Sequence, residues 1–121
     1  MRAAGRERAV GKVVFVNSDK IGDGEPELGL KLMQSFLYSL ARTEAKPSAV
    51  IFMNSGVRLT CERSTALDDI KLLAADGVAI KSCGTCLDYY GLMDSLAVGE
   101  VGAMGGTAET FMAADDVVSV G

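Results

Sequence analysis

The residues best suited to chemistry are Cys83-Gly84-Thr85-Cys86. They follow the apolar run Val78-Ala79-Ile80 and precede a segment of helical character, so they sit where a strand hands over to a helix. The thiolate is the reactive form of cysteine, and the amides and dipole at a helix start favour it. A helix starting at Thr85 or Cys86 places Cys83 just before it, where its sulfur can receive backbone N–H groups. Gly84 allows the backbone to turn closely around that sulfur. Cys86 can resolve a disulfide, receive sulfur from Cys83 or form a redox pair with it. The competing reading is two small buried hydrophobes beside a loop, because free cysteine is often buried.

The chain has no histidine and no tryptophan. Histidine general-base catalysis, Ser-His-Asp and Cys-His nucleophile pairs, and histidine metal sites are therefore excluded. Chemistry must come from Cys, carboxylates, hydroxyls, Lys, Arg or backbone groups. Cys61 stands apart in Leu59-Thr60-Cys61-Glu62 and reads as structural. One C-x-x-C pair is only half of the usual zinc signature, so no metal and no cofactor is expected. Gly22-Asp23-Gly24 begins like a dinucleotide loop, but Glu27 stands where the third glycine belongs. Asp23, Glu25 and Glu27 would also repel phosphate at that helix start.

These residues need a scaffold. Val13–Val16, Ala49–Met53, Val78–Ile80, Val98–Val101 and Val117–Val120 read as strands. Between them, residues 27–42 carry Leu28, Leu32, Met33, Phe36, Leu37 and Leu40 at helical spacing. A second helix has Leu67, Ile70, Leu73 and Ala74 on its apolar face, with Thr65 and Asp68 as a cap-like pair. A third runs from Leu87 to Leu96 with a break near Gly91, and Thr107 or Thr110 caps a fourth through Ala113. Five strands alternating with four helices give an α/β fold with a mainly parallel five-stranded sheet and helices on both faces. The continuously apolar strands agree. Strand order is left open.

Sites in open α/β sheets lie beyond the carboxyl ends of the strands. The loops Asn17–Asp23, Asn54–Thr60 and Cys83–Leu87 qualify and are expected to converge there. Beside the thiols, one of Tyr89 and Tyr90 is expected to pack and the other to lie at a surface or subunit contact. Asp68-Asp69 and Asp115-Asp116 read as solvated helix faces.

The chain has 121 residues, 49% hydrophobic and 23% charged, which is one globular domain. Its three cysteines suit a reducing compartment, and a cytoplasmic location is expected. Arg2, Arg6, Arg8 and Lys12 against Glu7 give residues 1–12 a charge of +3, leaving −7 on the rest of a chain of net −4. The acidic body disfavours nucleic acid and anionic membranes as partners. No segment reads as a secretory signal or a membrane span. Residues 1–11 read as a basic tail or linker remnant, and 12–121 as the domain.

The ordered stretches Ser18-Asp19-Lys20-Ile21-Gly22, Glu27-Leu28-Gly29, Ile51 through Thr60, Ser82 through Leu92 and Val98-Gly99-Glu100 carry a resemblance. Over about residues 12–120 the sequence resembles the DsrE/DsrF-like superfamily, and most of all the carboxyl-terminal domain of the YedF family, linked to selenium and sulfur metabolism. The resemblance implies a three-layer α/β/α sandwich and a homo-oligomer. It implies a persulfide on Cys83, with Cys86 as the second cysteine of the pattern. It further implies pocket walls from Asp19 and Lys20, and from Asn54, Ser55 and Gly56, alongside Gly84, Thr85 and Tyr89. The partner implied is a protein sulfur donor or acceptor, such as the TusA-like domain with a Cys-Pro motif that precedes this domain in YedF proteins. One departure is Ala103-Met104 in place of an Asn-Met pair, which removes a polar side chain from that loop.

Three functions compete on this reading. The first accepts and relays sulfane sulfur or selenium on cysteine. The second is a partner-binding or regulatory module without catalysis, which the absence of histidine favours. The third is a dithiol redox protein. An apolar, glycine-rich stretch at Val98–Thr107 is a candidate subunit contact.

Overall fold

The computed structural model describes residues 11–121. Apart from Gly11, the expected basic tail lies outside the described residues. Five strands form one sheet: β1 (Lys12–Val16), β2 (Ala49–Phe52), β3 (Ala79–Cys83), β4 (Glu100–Gly102) and β5 (Asp116–Val120). The order is β4-β3-β2-β1-β5, and every pairing is parallel. Four α-helices connect them: α1 (Pro26–Leu40), α2 (Leu67–Ala75), α3 (Gly84–Tyr89) and α4 (Met104–Ala113). Two 3₁₀ turns, Asn54–Thr60 and Met93–Ser95, complete the described residues.

The strand order explains the layers. Steps β1 to β2 to β3 to β4 all move the same way across the sheet. Right-handed crossovers then stack α1, α2 and α3 on one face. The return from β4 to the far edge at β5 carries α4 over the other face. The core divides accordingly. Val14, Val16, Val50, Phe52 and Ile80 pack with Met33 and Leu37 of α1, Ile70 and Leu73 of α2, and Leu87 of α3. On the other face only Val13, Ala49 and Ile51 form a small cluster, with Phe15, Phe111 and Ala114 against it. The result is a three-layer α/β sandwich with one thick and one thin helical layer.

Most elements fall where hydrophobic spacing puts them, with four differences. The first helix, expected over 27–42, runs from Pro26 to Leu40, and the fourth strand is Glu100–Gly102, shifted toward the carboxyl end. The third helix stops at Tyr89, and Gly91 at φ 67° turns the chain. Thr107 and Thr110 do not cap α4, because the helix already begins at Met104. Thr107 is instead buried, and the Thr110 hydroxyl donates back to the Gly106 carbonyl. Thr65 likewise forms no cap, and Ser64 Oγ accepts the Ala66 N–H.

The acidic pairs also differ from expectation. Asp69 is not solvated: it is buried in α2 and accepts from Arg42 Nη1 at 3.0 Å. Arg42 in turn lies over the Tyr38 ring at 3.6 Å. Asp115 and Asp116 are not on a helix, and Asp116 opens β5 opposite Lys12.

Candidate functional site

The carboxyl ends of β1, β2 and β3 point to one rim, and side chains tie their loops together there. After β1, Asp19 is buried. Its backbone N–H donates to Ser55 Oγ at 3.1 Å, joining the first loop to the second. After β2, Asn54 takes a left-handed backbone at φ 51°, which asparagine tolerates better than most residues. That turn aims the Asn54 N–H at Cys86 Sγ, 3.1 Å away, joining the second loop to the third.

Gly56 has a different role from the expected pocket wall. It is buried, and an added Cβ would lie 2.5 Å from the Val16 carbonyl oxygen. Its missing side chain lets the 3₁₀ turn seat directly against the end of β1. A buried hydroxyl pair anchors the other end of the turn. Thr60 Oγ1 donates to the Val57 carbonyl at 3.0 Å and lies 2.7 Å from Ser82 Oγ. A hydroxyl has one proton, and Thr60 has spent its own on Val57, so Ser82 donates to Thr60. Ser82 is the residue before Cys83, so this bond sets the turn against the thiol strand.

The helix begins one residue earlier than expected, at Gly84, and Cys83 is its N-cap residue. The Cys83 side chain makes no capping hydrogen bond, so the backbone amide expected at its sulfur is found at Cys86 instead. Cys83 is 8% exposed, whereas Cys86 is only half-buried and lines a rim cleft of about 300 Å³. Asn54, Thr85, Tyr89 and Tyr90 complete the lining. Burial pushes the Cys86 thiol up, and interaction of its S–H with Cys83 adds to that, while the Asn54 amide opposes. The two cysteines are free thiols. Gly84 packs close to β4, with room for a Cβ only 3.0 Å from Val101 Cγ1.

The tyrosines divide as expected. Tyr89 is 82% exposed, and Tyr90 is half-buried beneath the Arg58 guanidinium, 4.5 Å from the ring centroid. Lys20 Nζ holds Asp19 Oδ1 at 3.0 Å, and Arg58 Nη1 lies 3.7 Å from Asp19 Oδ2. Lys20 thus bears on the site through Asp19, outside the thiol cleft. Arg58 and Thr60 fall within the expected Asn54–Thr60 loop without being singled out in it, and Ser82 falls in β3 just before the thiol loop. Their signal was placement alone: each stands in a stretch leaving or entering a strand end.

Cys61 belongs to another environment. It is 1% exposed, and its S–H donates to the Val57 carbonyl at 3.2 Å. Its thiol is pushed up, first by burial and also by the Glu62 charge. No group of three or more Cys, Asp or Glu is placed to hold a metal ion among the described residues. None of their helices is long and apolar enough to cross a membrane.

No protein-family model and no curated protein sequence matches the chain. Solved structures do. YchN from E. coli superposes with a TM-score of 0.69 at 21% identity, covering 91% of this chain and 98% of YchN. MTH1491 from Methanobacterium thermoautotrophicum, described as a protein of unknown function, superposes with a TM-score of 0.62 at 21% identity, covering 85% of this chain and 92% of that one. At such identity the likeness speaks to the fold alone, the three-layer α/β sandwich with a parallel five-stranded sheet described above.

Proposed function

We propose that the protein accepts sulfane sulfur on Cys83 and passes it to a further thiol, with Cys86 as the second thiol of the site. The observation that supports this reading is the geometry at the rim: Cys83 is the N-cap residue of α3, and Cys86 lines the adjoining cleft with the Asn54 amide on its sulfur. The family resemblance gives the nucleophile's part to Cys83, at the start of α3. The Cys83 thiolate attacks the outer sulfur of a persulfide R–S–SH. A new S–S bond forms on Cys83, the S–S bond of the donor persulfide breaks, and R–S⁻ leaves to take a proton from water. No histidine is needed, because the nucleophile and the leaving group are both thiolates.

The DsrE/DsrF-like fold supports this reading, since proteins of that kind act in sulfur relay, often with partner transfer proteins. The narrower likeness to YedF extends it to selenium and to a TusA-like donor or acceptor. Tyr89, exposed beside the cleft, offers a docking surface for such a partner. The thin face supports self-association: Met104 and Met112 are 62% and 84% exposed there.

Intact-mass spectrometry after incubation with a persulfide donor tests the proposal. A reductant-reversible gain of about 32 Da, one sulfur, mapped to Cys83 is expected, and C83S should abolish it. C86S should keep acceptance and change release. Full transfer to C83S would overturn the assignment. A loss of about 2 Da instead, from Cys83–Cys86 disulfide closure, would move the protein to dithiol redox chemistry.

A further inference from the structure

A second cleft, of about 380 Å³, adjoins the thiol cleft and shares Tyr90 as a wall. Its lining is unusual for a chain of net charge −4. Arg58 and Arg63 face it together with Glu62 and the buried Asp19. Asp19 and Tyr90 hold Arg58 in place, the first by charge and the second by its ring face. About half of the Arg58 side chain stays open to solvent, so the guanidinium keeps free donors. Arg63 has φ 77°, a backbone conformation that costs an arginine energy and that here carries its charge to the cleft. Neither Arg63 nor Glu62 is in an ion pair among the described residues.

Two guanidinium groups beside a carboxylate, one ring away from a thiol pair, suit a small zwitterion that carries sulfur. We infer that this cleft binds the amino-acid portion of a low-molecular-weight peptide thiol and its persulfide, placing the sulfur at the Cys83–Cys86 cleft. Arg58 and Arg63 take the ligand carboxylate by charge-assisted hydrogen bonds, and Glu62 takes its ammonium. The volume fits a ligand of a few amino acids and is too large for a bare sulfide ion. This deepens the sulfur-acceptor reading and rests on it, because only then does the ligand's sulfur have a use. The transfer is the one already written, with R–S⁻ the peptide thiolate that leaves.

The experiment compares two donors, glutathione persulfide and the uncharged persulfide of 2-mercaptoethanol, on wild type, R58Q and R63N. Asparagine at position 63 removes the charge and accepts the left-handed backbone, so this variant guards against misfolding of R58Q. The rate of sulfur gain from glutathione persulfide should fall about tenfold or more in each variant, the loss of one charge-assisted hydrogen bond. The rate from the uncharged donor should not change in R63N, because Arg63 lies outside the thiol cleft. Unreactive S-methylglutathione should compete with the charged donor only, and its chemical-shift perturbations should centre on Tyr90 and be lost in R63N. Equal wild-type rates from both donors, with no binding of S-methylglutathione, would overturn the cleft assignment. Failure of both donors, with S-methylglutathione still bound and released by R63N, would instead remove the sulfur-acceptor reading and leave the ligand site standing.

Discussion

Cys61 donates its S–H to the Val57 carbonyl at 3.2 Å, whereas Cys86 accepts the Asn54 N–H at 3.1 Å. Both thiols are pushed up chiefly by burial. The backbone nevertheless uses them in opposite senses. A carbonyl facing a thiol stabilises S–H and makes the thiolate costly. An amide facing a thiol stabilises the charge when it forms. Both sulfurs are held by one 3₁₀ turn, Asn54–Thr60, the Cys86 sulfur by its first residue and the Cys61 sulfur by Val57 in its middle. One short element thus holds an inert cysteine inside and a reactive pair at the rim.

The largest expected consequence is a difference in alkylation. In the native protein, iodoacetamide should modify Cys86 at least about a hundredfold faster than Cys61, because the latter must wait for local opening. Peptide mapping of a time course reads this directly, and comparable rates would erase the distinction. The comparison can also be broken at its hinge. Gly56→Ala puts a methyl group against the Val16 carbonyl, so the turn must back away from β1. We expect a loss of about 1–3 kcal/mol in denaturant unfolding, as for other overpacked sites. The Asn54 amide should shift with the turn, so Cys86 alkylation should change as well. A variant of wild-type stability would show that the turn is not seated as described.

How much of this was legible beforehand follows from contact range. Val13–Val16 and Ala49–Phe52 are apolar on both faces, as buried parallel strands must be, so the sheet could be read locally. Glu100–Gly102 is a short edge strand that pairs with β3 alone, and its residues carry no such run. The Cys83–Cys86 spacing was visible, but the amide at Cys86 comes from a residue 32 positions away. Asp69 looked solvated because its partner, Arg42, is 27 residues distant. Local spacing finds the thiols, while the groups that tune them come from other strand ends.

A smaller effect isolates the anchor of the turn. Thr60→Val keeps the shape and removes the hydroxyl that accepts from Ser82. It leaves Ser82 buried without its partner, which should cost about 1–3 kcal/mol. Thr60→Val combined with Ser82→Ala should recover part of that loss, because no orphaned hydroxyl remains. A double-mutant cycle in urea measures the coupling. Additive losses would mean that the two hydroxyls do not depend on one another.

The finest distinction lies in alkaline pH. Cys61 has its folded thiol pushed above the ordinary value of about 8.5. Its contribution to stability is therefore fully present below that ordinary value. Above it the unfolded chain loses the thiol proton while the folded one keeps it, so stability falls with rising pH until the folded thiol also ionises. Cys61→Ala removes this term and trades it for lost packing. Relative to wild type, the variant should be less stable at neutral pH, with the gap narrowing above pH about 8.5 as the wild type loses its thiol contribution. Urea midpoints across that range, compared between the two proteins, cancel the lysines and tyrosines they share. A gap that stays constant would mean that the Cys61 proton is not held by the fold, and the contrast with Cys86 would then rest on exposure alone.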